Sequence, residues 1–226
     1  TYLKKKYNLK IIEDAAEAHG AKLNNKMIGN LSDISCFSFY ANKVLTSGEG
    51  GMVCTNNTSY FKKVNLLKNL GFEKPRFIHN VLGFNFRMSG MQAALGLSQL
   101  KEVKKILIKK IKIAKLYKSE LKDLKNIIFA KEEKNSKNIY WQVGIRIKGN
   151  LKNKLAKYLK KNGVDIRDFF YSMRNQPCLK KFIPKKVPET YNSNILWEEG
   201  IYLPSSHDIK DKEILYICNL IKKFMK

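Results

Sequence analysis

Short apolar runs bounded by turn residues dominate the first quarter of the chain. Residues 9–14 form one such run, which closes on two acids, and residues 33–40 and 51–55 form two more. Apolar runs of this length between turn signals are typical of buried strands. We therefore predict three strands, with Asp14 at the end of the first and a glycine-rich loop, residues 43–51, between the second and third.

Helical periodicity replaces this pattern in the middle of the chain. Residues 59–70 carry apolar side chains at helical spacing, whereas residues 71–86 show no period and are predicted to be irregular. Ser89 has the character of an N-cap. A stripe of leucine, isoleucine and valine then continues to Leu124, which predicts one long helix or two consecutive helices.

Strands and helices alternate in the remaining sequence. The predicted strands or extended segments are residues 126–129, 140–147, 165–171 and 201–204. Residues 151–162 predict an amphipathic helix that Gly163 ends, and residues 210–224 predict a closing helix. Residues 177–194 are predicted to be loop-rich. Alternation of this kind favours α/β or α+β layering.

Composition narrows the class of protein. The chain has 226 residues, 44% of them hydrophobic, which is enough for a buried core. No apolar run approaches the length of a membrane span, so none is predicted. The four cysteines are Cys36, Cys54, Cys178 and Cys218. They form no CxxC pair and have no histidine at zinc-ligand spacing, so we predict reduced thiols in the cytoplasm and no metal site.

The formal net charge of +25 raises the question of nucleic-acid binding. Only five of the 44 basic residues are arginine, the residue preferred for bidentate recognition of bases and phosphates. The lysines are spread along the chain and not gathered with aromatic side chains. This pattern favours a solvated surface over a specific nucleic-acid interface.

Three features near the start of the chain carry candidate chemistry: Asp14 at a strand end, Lys43 just beyond another strand, and the turn at residues 48–51 that follows Lys43. Each alone has an ordinary interpretation, as a helix cap, a solvated amine and a tight turn. A nucleotide P-loop is excluded, because it places its glycines before the lysine. Together the three suit pyridoxal phosphate (PLP), which needs an amine for a Schiff base, a carboxylate beside the pyridine nitrogen and donors such as Ser38 for the phosphate.

The residues also resemble a known family. The runs IIEDAAEAHGA, SFYANKVLTSGEGGMV, GFNFRMSGMQAALGLSQL, NGVDIRDFFYSMRNQP and GIYLPSS, in this order, resemble the DegT/DnrJ/EryC1/StrS family of sugar aminotransferases. The likeness extends from about residue 10 to the C-terminus. It implies an α/β chain of PLP-dependent transferase fold type I, like aspartate aminotransferase. Residues 1–100 would be the C-terminal part of the PLP-binding large domain, and residues 101–226 a bridging helix and a small α/β domain.

The resemblance also implies roles for individual residues. Lys43 would form the Schiff base with PLP and then carry protons, and Asp14 would pair with the pyridine nitrogen. Glu17 would lie near the ring hydroxyl of PLP, Ser38 would bind its phosphate, and Asn85 would reach the phosphate in the partner subunit of a homodimer. Some relatives have histidine in place of the lysine and are dehydratases, so Lys43 favours transamination.

The substrates implied are glutamate as amino donor and a nucleotide-linked keto-sugar as acceptor. Within the family, the residues of these motifs suggest GDP-4-keto-6-deoxymannose as the acceptor, for surface polysaccharide biosynthesis. His79, Arg167 and Phe169 would contact the sugar or nucleotide, with core packing as an equal alternative for Phe169 and Phe170.

Two further expectations concern the chain as a whole. It begins at Thr1, shortly before the Asp14 strand, so the family's N-terminal phosphate loop and ring-stacking aromatic residue are expected to lie outside it. As a fragment it is expected to be inactive and poorly soluble. The alternative functions are a non-catalytic regulator or binding protein, which the presence of Lys43 and Asp14 disfavours, and a nucleic-acid-binding module, which the scarcity of arginine disfavours.

Overall fold

The computed structural model describes residues 2–75, 77–184 and 191–226. It divides into two compact units. Unit 1 comprises Thr1–Ile108 and Glu132–Trp141, and unit 2 comprises Lys109–Lys131 and Gln142–Lys226. Within the described residues, no helix combines the length and apolar character that crossing a membrane requires.

A three-stranded sheet forms the centre of unit 1. After a short helix, α1 (Tyr2–Tyr7), strand β1 (Ile12–Asp14) pairs in parallel with β4 (Ile34–Ser38). β4 also pairs, in antiparallel direction, with β5 (Gly51–Cys54). Asp33 fixes the start of β1, because its carboxylate accepts a hydrogen bond from the backbone N–H of Ile11 and one from Lys4 Nζ.

A second small sheet of unit 1 joins distant parts of the sequence. β2 (Lys22–Leu23) and β3 (Lys26–Met27) form a hairpin, and β7 (Ser136–Lys137) pairs with β2 from more than a hundred residues away. Asn24 and Asn25 both have positive φ, as a two-residue type I′ hairpin turn requires. This sheet was not predicted from the sequence.

The helices of the first half follow the predicted pattern closely. Asn57 caps α2 (Thr58–Lys68) by accepting a hydrogen bond from the N–H of Tyr60. α3 (Gly90–Leu121) is a single helix of 32 residues. Ser89 and Gln92 form a reciprocal pair at its start, in which each side chain accepts a hydrogen bond from the other residue's backbone N–H. The prediction of Ser89 as N-cap is confirmed.

Unit 2 contains a four-stranded sheet and several helices. The strands, in spatial order, are β6 (Ile127–Phe129), β8 (Val143–Ile147), β10 (Gly200–Leu203) and β9 (Arg167–Asp168), all antiparallel. The helices are α4 (Lys152–Lys161), α5 (Tyr191–Glu199) and α6 (Asp211–Met225), together with the part of α3 from Lys109 to Leu121. Alternate residues of β8 are buried, namely Val143, Ile145 and Ile147, and α6 buries residues at helical spacing, namely Ile214, Ile217, Cys218 and Ile221.

The segment predicted to be loop-rich contains more structure than expected. Within residues 177–194, Pro177–Phe182 is a 3₁₀ helix and α5 begins at Tyr191, while a further 3₁₀ turn, Met173–Asn175, lies just before this segment. Residues 185–190 of that prediction, like Arg76 and Thr1, lie outside the described residues. α5 was not predicted as a helix, because its apolar positions do not form a clear stripe on one face.

Lys110 is a buried cation in unit 2. Its Nζ donates a 2.5 Å hydrogen bond to the carbonyl oxygen of Ser205, and only 6% of the residue is exposed. Burial lowers the pKa of Lys110 from 10.5 to about 8. Between these two values the unfolded chain binds more protons than the folded protein, so the free energy of unfolding increases as the pH rises through this window.

Replacing Lys110 with methionine removes this pH dependence. From about pH 7 to about pH 9.5, the free energy of unfolding of wild type should rise by about 2 kcal/mol more than that of the Lys110→Met variant. Urea unfolding at the two pH values measures the difference. Lys115→Met, an exposed change on the same helix, is the control and should show no such difference from wild type. The same stability difference between Lys110→Met and wild type at both pH values would contradict the prediction.

Candidate active site

The carboxyl ends of β1 and β4 bring two of the predicted residues to one edge of the sheet. Asp14 is the last residue of β1 and lies beside Cys36 in the parallel register. Ser38, two residues further along β4, ends its strand at the same edge. Because side chains alternate along a strand, Cys36 and Ser38 share a face, and Asp14 lies on that face with them. This edge is where open α/β sheets bind ligands.

Asp14 and Ser38 keep hydrogen-bonding capacity for a ligand. One oxygen of the exposed Asp14 carboxylate accepts a 3.0 Å hydrogen bond from the backbone N–H of Ala16. Ser38 Oγ accepts a 3.3 Å bond from the N–H of Tyr40, an interaction that does not use the hydroxyl hydrogen. Asp14 thus retains acceptor capacity and Ser38 a donor.

Lys43 follows β4 and turns back towards the residues after β1. Its Nζ lies 3.0 Å from Glu17 Oε1, and its side chain is only 11% exposed, whereas that of Glu17 is 47% exposed. The indole ring of Trp141 also lies close to the amine, with 4.1 Å between Nζ and the ring centroid. The structure therefore brings Lys43 into contact with Glu17, three residues beyond Asp14.

His19 is a buried neighbour of this lysine. It is 5% exposed, and its ring contacts those of Phe37 and Phe39 at centroid distances of 5.3 and 5.7 Å. Burial and then the charge of Lys43 lower the pKa of His19, while the nearby Ser38 backbone opposes them, so the ring is neutral at physiological pH. Neither ring nitrogen has a partner in hydrogen-bonding geometry among the described residues.

The glycine-rich loop after Lys43 is held against the end of the sheet. Gly50 has φ of +139°, and Ser47 Oγ donates a 2.6 Å hydrogen bond to the carbonyl oxygen of Glu49. At Gly51 a Cβ atom would lie 2.8 Å from the carbonyl oxygen of Phe37, so a side chain cannot be added without moving the backbone. The glycines thus permit the close approach of this loop to β4.

Asn85 and His79 lie in the segment between α2 and α3. Asn85 forms an isolated bridge with Asn69 and accepts a hydrogen bond from Arg87 Nε. His79 Nδ1 lies 3.0 Å from the carbonyl oxygen of Leu70, so this nitrogen carries the proton in that contact. Both residues are exposed, and the contacts just described join them to their own segment and not to the residues at the sheet edge.

The remaining two candidates belong to unit 2. Arg167 is an exposed residue of β9, paired with Tyr202 of β10. Phe169 stacks on Tyr202 at 4.4 Å, and its ring fills the space beside Gly144, where an added Cβ would lie 2.6 Å from Phe169 Cζ. These contacts give Phe169 a packing role in the sheet, the alternative to substrate contact that the sequence left open, while Phe170 is 68% exposed.

Comparison with known proteins now decides the family. The sequence profile of the DegT/DnrJ/EryC1/StrS aminotransferase family matches residues 1–222. The chain belongs to this family. The DegT family assignment confirms the resemblance identified in the sequence, and it agrees with the mixed α/β architecture.

Relatives and solved structures support the assignment. GDP-perosamine synthase of Escherichia coli O157:H7 is 35% identical over 225 residues, which are 98% of this chain and 60% of that protein. GDP-perosamine synthase of Vibrio cholerae is 36% identical over 222 residues, 96% of this chain and 60% of that protein. Helicobacter pylori PseC, an aminotransferase involved in the biosynthesis of pseudoaminic acid, superposes with a TM-score of 0.91 at 25% identity, covering 99% of this chain and 62% of that structure.

The chain spans about 60% of the length of these DegT-family relatives. Aminotransferases of the family are PLP-dependent, and the predicted fold type I is confirmed by the structural likeness. The donor set at the sheet edge fits PLP. Lys43 offers a shielded primary amine for the aldehyde, Asp14 a carboxylate for a protonated ring nitrogen, and Ser38 a hydroxyl for the phosphate.

Two residues at this DegT-family site were not recognised in the sequence. His19 stands inside the quoted run IIEDAAEAHGA, two residues after Glu17, and its position in that motif was the available signal. Trp141 donates a hydrogen bond from Nε1 to the carbonyl oxygen of Asn42, ninety-nine positions earlier. No local pattern connects two residues that far apart, so this contact could be found only in the structure.

Proposed function

We propose that the full natural protein containing this chain is a PLP-dependent aminotransferase, which moves an amino group from glutamate to a nucleotide-linked keto-sugar. The observation that carries the proposal is the shielded amine of Lys43, paired with Glu17 at the sheet edge where Asp14 and Ser38 also lie. Membership of the DegT family and the transaminase names of the relatives support the same reaction class.

Lys43 is the catalytic residue of this proposal. When bound, PLP supplies an electron sink that stabilises negative charge on the carbon from which a proton is removed. Lys43 Nζ would hold the cofactor and, as a free amine, would take the proton from the carbon that bears the donor's amino group. Glu17 Oε1, 3.0 Å away, attracts the protonated amine and keeps it at the sheet edge.

Asp14 and Ser38 hold the two ends of the cofactor. The Asp14 carboxylate keeps a proton on the pyridine nitrogen, which the electron sink requires. Ser38 donates its hydroxyl hydrogen to a phosphate oxygen. The backbone N–H of Ala16 fixes the Asp14 side chain in place for this contact, since it already binds one carboxylate oxygen.

The substrate and subunit contacts extend the proposal beyond the sheet edge. We place Asn85 of one subunit at the phosphate of the partner subunit in a homodimer. His79 and Arg167, both exposed, are the candidates for contact with the sugar or nucleotide. Within unit 2, Phe169 stacks on Tyr202, the residue of β10 that pairs with Arg167.

The acceptor proposed is GDP-4-keto-6-deoxymannose. The reaction would take place in the cytoplasm and would supply surface polysaccharide biosynthesis. Two proteins named GDP-perosamine synthase, at 35% and 36% identity over nearly the whole chain, support the choice of a GDP-linked sugar. Proteins named as transaminases of UDP- and dTDP-linked sugars also match, and their substrates are the competing acceptors.

An amination assay tests the proposal. The full natural protein is incubated with PLP, glutamate and, in separate reactions, GDP-, UDP- and dTDP-linked 4-keto-6-deoxy sugars, and mass spectrometry follows the amino sugar and 2-oxoglutarate. We expect amination of the GDP-linked acceptor at the highest kcat/KM. Preference for a UDP- or dTDP-linked sugar would overturn the acceptor, and absence of amination for every acceptor would overturn the function.

A further inference from the structure

The amine of Lys43 is held by groups from two distant parts of the chain. Glu17 Oε1 lies 3.0 Å from Nζ, and the Trp141 ring centroid lies 4.1 Å from it. Both partners belong to unit 1, Trp141 through the segment Glu132–Trp141. The proposed reaction accounts for Glu17, whereas it assigns nothing to Trp141.

A hydrogen bond and a buried apolar cluster hold Trp141 in this position. Its Nε1 donates a 2.8 Å hydrogen bond to the carbonyl oxygen of Asn42, the residue directly before Lys43. Two residues earlier, Ile139 is 2% exposed and lies in a buried cluster with Val44 and Leu45, the residues directly after Lys43. The tryptophan segment therefore contacts the main chain before Lys43 and the side chains after it.

The two kinds of contact act on different atoms. The hydrogen bond to Asn42 restrains the backbone from which the lysine side chain extends. The face of the indole ring attracts an ammonium group with only a small fraction of the strength of a covalent bond, and it forms no hydrogen bond with it. An attraction of this size holds the amine in place yet is weak enough to let it leave for another bond.

We propose that Trp141 is a positioning residue for Lys43. It keeps the amine at the cofactor site whenever Lys43 is not covalently bound to PLP, and so shortens the search for the aldehyde carbon. The inference rests on the proposed function in one respect, that Lys43 is the residue that binds PLP. Placement of a reacting group within about 1 Å has large effects on rate, so the contribution should be measurable.

The test compares Trp141→Leu and Trp141→Phe with wild type in the full natural protein. Leucine removes both the ring and the hydrogen bond, and phenylalanine keeps a ring face but loses the hydrogen bond. After removal of cofactor, PLP is added, samples are quenched with borohydride at intervals, and peptide mass spectrometry measures labelling of Lys43. We expect the labelling rate to decrease by about tenfold in Trp141→Leu and by less in Trp141→Phe.

Two controls separate positioning from folding. Trp197, the other tryptophan, lies over Lys152 at 4.7 Å in unit 2, so Trp197→Leu makes the same change at an unrelated lysine and should leave the labelling rate unaltered. Pyridoxamine phosphate, which binds without a bond to Lys43, should retain its Kd within about threefold in both Trp141 variants if the site is intact. Loss of this binding would show a structural role and overturn the proposal.

The outcomes also separate this inference from the proposed function. A labelling rate in Trp141→Leu equal to or faster than wild type would overturn the positioning role while leaving the aminotransferase proposal standing. If wild type labels at Lys43 with the expected dependence on Trp141 but aminates no sugar, the positioning role stands and the sugar substrate falls. Absence of labelling at Lys43 in wild type would overturn both.

Discussion

Replacing Lys43 with arginine is expected to reduce amino transfer by at least about a thousandfold. Arginine keeps the positive charge and can still pair with Glu17, but it stays protonated and forms no stable bond with an aldehyde. The charge and the salt bridge are therefore retained while the nucleophile is lost. Production of 2-oxoglutarate from glutamate gives the rate, and borohydride trapping with peptide mapping shows where the cofactor attaches.

Lys26→Arg provides the matched control for this change. Lys26 is an exposed lysine of the β3 hairpin strand in the same unit, so its replacement should leave turnover within about twofold of wild type. The assignment of Lys43 would be wrong if Lys43→Arg kept more than about a tenth of the activity, or if the trapped cofactor appeared on another lysine.

Replacing Asp14 with asparagine is the second change with a large expected effect. The amide keeps the size of the side chain and the oxygen that accepts the Ala16 N–H, but it carries no negative charge. It therefore cannot hold a proton on the pyridine nitrogen, and kcat is expected to decrease by about a hundredfold or more. The absorbance spectrum of the bound cofactor and the rate of 2-oxoglutarate formation measure the effect.

Asp33→Asn is the control for Asp14→Asn, because it removes a negative charge beside the same strand but away from the candidate site. Asp33 also adjoins β1, but it binds Lys4 and the N–H of Ile11 at the opposite end of that strand, and those bonds lower the pKa of its carboxyl group. The change should affect thermal stability and not kcat. Equal losses of kcat in Asp14→Asn and Asp33→Asn would contradict the role given to Asp14.

Much of the fold could be predicted because each of its larger helices and strands has a recognisable local sequence pattern. The runs before Asp14, Ser38 and Cys54 are apolar over several residues, and the stripe after Ser89 continues for many turns. The small sheet of β2, β3 and β7 was missed, because strands of two residues are too short to show a period of two. The Asn24–Asn25 pair was the available signal, since asparagine tolerates the positive φ of a hairpin turn.

Part of the candidate site could likewise be predicted from the sequence, and part could not. Asp14, Ser38 and Lys43 end or follow predicted strands, so their shared edge follows from the order of elements along the chain. The contact of Lys43 with Glu17 agrees with the short distance between Asp14 and Glu17 in sequence. The contact with Trp141 depends on the return of residues 132–141 to unit 1, and that return is a property of tertiary packing alone.

The return of Glu132–Trp141 to unit 1 also bears on how the protein is made. During synthesis, Val44 and Leu45 leave the ribosome long before Ile139, the residue that completes their buried cluster. α3 supplies Ile106 to the cluster, but the two side chains stay incompletely covered until Ile139 emerges, an interval in which a nascent chain is open to aggregation or to a chaperone. Stop codons placed before and after codon 139 should give truncated chains that differ sharply in protease resistance.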